Sequence, residues 1–191
     1  MYRWVKTFSR IVLSPFYGIE IRGPNRLPPK GAFILLPKHQ RWQDIPLMAL
    51  ASERPLYFMA KHELFVGRLS SWFLKSLGGI PLNRQQPIKS REGIRAMMAF
   101  LEQGEGVVVF PEGTYYVDRT GPGKSGMLRL IVSRASFPLI PAGIRYRKTG
   151  WKTRVRISFG DAIHPRRGVS PDDLLGRVMA EIARLSGFSQ G

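Results

Sequence analysis

The chain has 191 residues, no cysteine, and 30 Lys and Arg against 13 Asp and Glu, a formal charge of +17. This length suits one domain with a sizeable core, and the lack of cysteine excludes disulfides, thiolate catalysis and cysteine–zinc sites. Such a charge draws a protein to polyanions; without a zinc finger, ribonucleoprotein motif or clear helix-turn-helix, nucleic acid is not expected as the partner, which leaves an anionic membrane surface.

Residues 2–13 suit an amphipathic helix. Trp4, Val5, Phe8, Ile11 and Val12 recur at helical spacing, with Arg3, Lys6, Thr7 and Arg10 opposite, and Pro15 bounds the stretch. A basic helix with Trp and Phe on its other face suits a membrane interface; the competing expectation is a helix packed on its own domain. Residues 1–17 are therefore read as a membrane-interface helix and residues 18–191 as one following domain. No apolar run approaches the length that spans a bilayer, and no signal peptide is read. A peripheral, membrane-associated protein on the cytoplasmic face is expected.

A short strand over 19–22 ends at Gly23-Pro24, and Pro28 to Gly31 make a turn. A strand over 32–36 leads to a polar corner and then to an apolar helix from Ile45 to about Ser52. Leu56 to Ala60 is a strand. Residues 63–77 read as a helix rich in aromatic residues, expected in the core rather than as a second membrane contact. Residues 80–82 are a brief strand and 88–103 a helix. Val107 to Phe110 has the β-branched character of a central buried strand. A loop over 118–123, a helix over 125–136 and a buried strand over 139–144 follow. Residues 146–151 are expected to turn, and 152–159 alternate charged and apolar residues as an antiparallel edge strand does. Ser170 caps a closing helix over 171–185, with Asp172 and Asp173 in its first turn. Repeating strand–helix units imply an α/β single domain with a mostly parallel sheet covered by helices.

The polar corner reads His39-Gln-Arg-Trp-Gln-Asp44. At 3.6 residues per turn, positions five apart within a helix point about 140° apart. The two side chains meet if His39 lies in the turn before the helix and Asp44 in its first turn. A carboxylate so placed orients an imidazole and raises its basicity, as a general base requires. The plainer reading is a loop histidine and a helix-start aspartate. A metal site built from His39, Asp44 and His62 lacks further ligands at regular spacing.

Three more blocks follow in order: Gly79-Ile-Pro-Leu-Asn-Arg84, Phe110-Pro-Glu-Gly-Thr114 and Pro138-Leu-Ile-Pro-Ala-Gly-Ile144. With the His-x4-Asp, and with Val155 to Asp161 as a fifth likeness, the chain resembles the glycerolipid acyltransferase family, typified by 1-acylglycerol-3-phosphate acyltransferase, over roughly residues 19–165. The resemblance implies a glycerol-3-phosphate acyltransferase-like fold, with 18–191 as the acyltransferase domain. It implies His39 as the base, with Asp44 holding its tautomer, and Arg84 on the acceptor's phosphate. Guanidinium forks suit that task.

Proline and glycine in Phe110 to Thr114 turn the chain so that Glu112 lies at the sheet's carboxyl end beside His39. Glu112 is expected either to orient acceptor hydroxyls or Arg84, or to accept backbone N–H bonds as a structural carboxylate. Gly113 and Thr114 complete the substrate-binding block, and Lys124 resembles the family's Lys-x-Gly near the phosphate. Gly-Lys-Ser at 123–125 lacks the glycine pattern of a nucleotide P-loop. Two departures bear on the acceptor. Tyr115 stands where the family commonly has Arg, and Lys38 and Arg41 replace its Asn and Ser. Lys38, Arg41 or Lys124 is expected to restore the lost cation.

The implied reaction moves a fatty acyl group from acyl-CoA or acyl-carrier protein to a lysophospholipid, foremost 1-acylglycerol-3-phosphate, with no cofactor and no metal. Another acceptor, glycerol-3-phosphate or a non-phosphate lipid alcohol, is the first alternative. A non-enzymatic basic protein binding lipid or nucleic acid is the second.

Overall fold

Strand–helix alternation in the sequence becomes seven strands and six α-helices in the computed structural model, which describes residues 2–76, 78–83, 87–134, 137–165 and 168–188. In chain order these are α1 (Tyr2–Leu13), β1 (Tyr17–Arg22), β2 (Phe33–Pro37), α2 (Asp44–Ala51), β3 (Leu56–Lys61), α3 (Arg68–Ser76), β4 (Gly79–Leu82), α4 (Pro87–Glu102), β5 (Gly106–Val108), α5 (Ser125–Arg134), β6 (Leu139–Thr149), β7 (Lys152–Phe159) and α6 (Pro171–Ser186). One sheet holds the strands in the order β1-β7-β6-β2-β5-β3-β4. The β6–β7 pairing is antiparallel and the other five are parallel.

The unbroken apolar run Phe33 to Pro37 makes β2 a central strand, buried at every position, as a strand covered on both faces requires. One core joins β2, β6 and β7 to α2, through Leu35, Met48, Ile144 and Ile157. The other joins the opposite face to α4, α5 and α6, through Leu36, Met97, Ile131 and Val178. Gly143 lets α6 approach: a Cβ there would lie 2.3 Å from the Leu185 carbonyl carbon. Ser170 caps α6 as its sequence predicts, accepting from the Asp173 N–H at 3.0 Å.

Three expectations are corrected. β7 is not an edge strand, because β1 pairs with it in parallel, Tyr17 against Thr153 through Arg22 against Ser158. An alternating strand next to a short edge strand carries the same pattern as an edge itself. Tyr146 and Arg147 lie in β6, not in a turn; the strand runs to Thr149 and the hairpin turns at Gly150. Residues 63–76 are not one core helix, and Leu77, the last residue of that expected helix, lies outside the described residues. A 3-10 turn over His62–Phe65 precedes α3, and Leu64, Val66, Leu69 and Trp72 are exposed.

α1 packs on α2 through buried Ser9 and Leu13, with the Lys6 ammonium donating to the Ser52 carbonyl. Its apolar stripe faces outward: Trp4 is 80% exposed, and Phe8 and Ile11 are more than half exposed. The domain therefore leaves that stripe uncovered. Among the described residues no helix is long and apolar enough to cross a membrane.

Candidate active site

β2 ends at Pro37 and α2 begins at Asp44, and the intervening loop carries His39. The neighbouring strand β5 leads into Phe110 to Thr114. Helices leave β2 and β5 on opposite faces of the sheet, so their carboxyl ends flank a crevice, the usual place for a ligand in an open α/β sheet. Gly113, at φ 66°, turns the chain back over this crevice.

Nδ1 of His39 lies 3.0 Å from Oδ2 of Asp44. The same oxygen accepts the N–H groups of Gln40 at 2.6 Å and Arg41 at 2.8 Å. Oδ1 accepts the Tyr146 hydroxyl at 2.5 Å. Asp44 is fully buried, and a buried carboxylate surrounded by donors stays acceptor-only when ionised. The hydrogen-bond pattern thus assigns the Nδ1 proton to the shared bond and leaves Nε2 as the lone-pair nitrogen. The imidazole stacks on Phe110, with centroids 3.8 Å apart, and meets Tyr115 edge-on at 4.5 Å. Burial, then the charge of Asp44, pushes the Tyr146 hydroxyl far above the usual tyrosine range. The Arg41 guanidinium lies over the Tyr146 ring, 4.6 Å from its centroid.

Glu112 takes the second of the two roles expected for it. It is fully buried, and its oxygens accept the N–H of His39 at 2.8 Å, the N–H of Gly121 at 2.7 Å and the Lys38 ammonium at 2.9 Å. A carboxylate so enclosed fixes the backbone of the histidine. Lys38 is corrected as a source of phosphate-binding charge. It has no exposed surface, and its ammonium also donates to the carbonyls of His39 at 2.9 Å and Tyr116 at 2.7 Å. Burial depresses its pKa, partly offset by Glu112.

A cavity of about 180 Å³ holds the imidazole, walled by Phe110, Gly113, Thr114 and Tyr115 and bounded by Lys61. It shares Met59, Phe110 and Gly113 with a mostly apolar groove of about 440 Å³ that runs between α4 and α5 past Leu82, Ile94 and Leu130. Lys124 borders that groove. The sequence-predicted residues His39, Asp44, Glu112, Gly113 and Thr114 thus come together, with Lys124 alongside. Arg84 lies outside the described residues.

Sequence reasoning missed Tyr146, Gln40 and Lys61. The alternation of Ile144, Arg145, Tyr146 and Arg147 carried a strand signal that would have extended β6 and put Tyr146 on the face of Ile144. Gln40 bridges the Ile144 carbonyl at 2.8 Å and the Asp118 N–H at 3.1 Å, and nothing local marks it. Lys61 is a strand-end cation, and only the fold brings it to His39.

Residues 18–145 match the model of the family described as Acyltransferase. The 1-acyl-sn-glycerol-3-phosphate acyltransferase of Bacillus subtilis (strain 168) is 27% identical over 169 residues, covering 86% of this chain and 83% of that protein. A chloroplastic 1-acyl-sn-glycerol-3-phosphate acyltransferase of Brassica napus is 30% identical over 138 residues, 71% of this chain but 40% of that protein. The crystal structure of the 1-acyl-sn-glycerophosphate (LPA) acyltransferase from Thermotoga maritima superposes with a TM-score of 0.78 at 23% identity, over 97% of this chain and 78% of the other.

Proposed function

This chain belongs to the acyltransferase family, and we propose that it transfers a fatty acyl group from an acyl thioester to the free hydroxyl of 1-acylglycerol-3-phosphate, giving phosphatidic acid. The 3.0 Å contact between Nδ1 of His39 and the buried Asp44 carboxylate carries the reading. It leaves Nε2 as a base at a cavity that opens into an apolar groove.

Nε2 takes the proton of the acceptor hydroxyl while its oxygen bonds to the thioester carbonyl carbon. The tetrahedral intermediate collapses with cleavage of the C–S bond, and the departing thiolate takes the proton back from the imidazolium. Asp44 holds the ring through Nδ1 in both halves, and Glu112 fixes the loop that carries it. The thioester is already activated, so the residues described need only move a proton. The groove past Leu82, Ile94 and Leu130 suits an acyl chain. Lys61 and Lys124, with Arg84, would supply the cations for the acceptor's phosphate.

The outward stripe of α1, with Trp4, Phe8 and Ile11, supports peripheral binding to the anionic cytoplasmic face of a membrane. The exposed apolar residues of the 3-10 turn and α3 support a second contact beside the His39 cavity.

A second acceptor class is favoured by Tyr115. An aromatic edge, rather than a cation, lies against the imidazole, which suits a lyso-lipid without a phosphomonoester. An acceptor panel decides between them. The protein on anionic vesicles, given an acyl thioester, should form phosphatidic acid from 1-acylglycerol-3-phosphate, and Lys61→Ala should raise KM for that acceptor. Ester formation with neutral lyso-lipids alone, indifferent to Lys61→Ala, would replace the phosphate reading by the second.

A further inference from the structure

The antiparallel register of β6 and β7 sets Arg145 opposite Arg156 and Arg147 opposite Arg154. Like charges directly opposite each other destabilise a sheet, so four arginines in this arrangement call for a purpose other than stability. Alternation puts all four on one face, because Val155 and Ile157 between them lie in the core shared with α2. α6 covers this face of β6 only as far as its own C-terminal end, where Arg145 donates to the carbonyls of Ser186 and Gly187. Beyond it Arg147 and Arg154 are exposed.

The surface continues. Arg22 on β1, Arg26 after it and Arg184 on α6 line a concavity of about 470 Å³ with Arg145 and Arg156. Three carboxylates answer seven guanidiniums: Glu20 pairs with Arg22 and Arg156, Asp161 with Arg26, and Glu181 with Arg184. No hydrogen bond or ion pair ties the guanidinium of Arg147 or Arg154 to another described residue. The patch spans three strands, about 10 Å across, and the Arg154 to Ser158 stretch of β7, about 13 Å along.

Its direction selects the partner. α1 packs on α2, on the opposite face of the sheet. A lipid surface met by the outward stripe of α1 therefore leaves the arginines facing the aqueous side. The patch also sits at the active-site edge. The β2–β6 pairing ends at Pro37 against Ala142, and Tyr146, whose hydroxyl is bonded to Asp44, stands between Arg145 and Arg147 on the same strand. We infer that this arginine face docks a soluble acidic protein that delivers the acyl group as a thioester, an acyl-carrier protein. The inference rests on the acyl-transfer reading above and adds to it the surface that the donor meets. Coenzyme A, which carries the same thioester, is the alternative that the comparison of donors decides.

The test compares wild type with the double variant Arg147→Glu/Arg154→Glu. Two donors bear the same acyl chain, one on acyl-carrier protein and one on coenzyme A. The expected result is a KM for the carrier-protein donor raised about tenfold or more, with turnover of acyl-CoA unchanged. Binding of labelled acyl-carrier protein, followed by fluorescence anisotropy, should weaken with added salt in wild type and be lost in the variant. Equal effects on both donors, or none on either, would overturn the docking site. So would retained carrier-protein binding in the variant. Co-sedimentation with phosphatidylcholine–phosphatidylglycerol vesicles should be unchanged; its loss would assign the face to lipid instead. If wild type turns over neither donor, the acyl-transfer reading fails, while the anisotropy comparison still decides the surface.

Discussion

The hydroxyl of Tyr146 donates to Oδ1 of Asp44 at 2.5 Å, across 102 residues of sequence. This bond joins β6 to the start of α2 and fills the side of the carboxylate that His39 does not use. Asp44 is thereby held by two backbone N–H groups, one phenol and one imidazole, and the ring can take one orientation.

Asp44→Asn keeps the shape of that side chain and removes its charge. An amide offers a donor as well as an acceptor, so the imidazole loses its unambiguous partner and its tautomer is no longer fixed. We expect kcat to fall by about 10²- to 10⁴-fold, the range for loss of an effective general base, with the fold intact by circular dichroism. Activity within a factor of about two of wild type would show that the carboxylate does not serve the histidine.

Tyr146 gives a signature in alkali. Its hydroxyl is pushed above the usual tyrosine range by burial and by Asp44, so its folded pKa exceeds the unfolded value of about 10. The folded state then holds the proton more tightly, and this contribution to stability is present below about pH 10 and lost as pH rises above it. In a 295 nm titration Tyr146 should be the last tyrosine to ionise, together with unfolding seen by circular dichroism. Tyr146→Phe should lack that final step. A final step that persists in the variant would assign the phenomenon elsewhere.

Lys38 and Glu112 form a fully buried pair at 2.9 Å. Removing one member leaves a buried charge uncompensated, which costs about 3–5 kcal/mol. Lys38→Met should lower the urea midpoint accordingly. Lys38→Met combined with Glu112→Gln should recover part of that loss, because the stranded carboxylate is gone. Additive losses in the double variant would mean that the two are not coupled.

For α1, Phe8→Glu with Ile11→Glu should leave thermal stability nearly unchanged, since exposed positions away from special features usually stay within about 0.5 kcal/mol. Binding to anionic vesicles should fall at least about tenfold, because two apolar side chains no longer enter the interface. A large drop in Tm would show that the stripe packs on the protein; unchanged vesicle binding would move the anchor to α3.

The parallel order of the sheet was legible because β2 and β5 are continuous apolar runs and the helices between them have helical periodicity. The His39–Asp44 contact was legible because it is local: six residues that link a strand end to a helix start have few ways to fold. Glu112 beside His39 followed from the turn chemistry of Pro111 and Gly113. What the chain hid depends on register and burial. Whether β7 is an edge depends on β1, more than a hundred residues earlier. Tyr146 reaches Asp44 only because β6 outruns β2 at Ala142. Lys38 reads as a surface cation until Glu112 is seen above it. The aromatic pattern at 63–77 suggests a core helix, yet Leu64, Val66, Leu69 and Trp72 face solvent, which hydrophobicity alone does not foretell.

Thiol release from acyl-CoA in the presence of 1-acylglycerol-3-phosphate and anionic vesicles, compared between wild type and His39→Gln, tests the proposed chemistry most directly. Proton transfer by this imidazole predicts that acceptor-dependent release falls by about 10²-fold or more while vesicle binding and the circular dichroism spectrum stay unchanged. Undiminished release from the folded, vesicle-bound variant would contradict it.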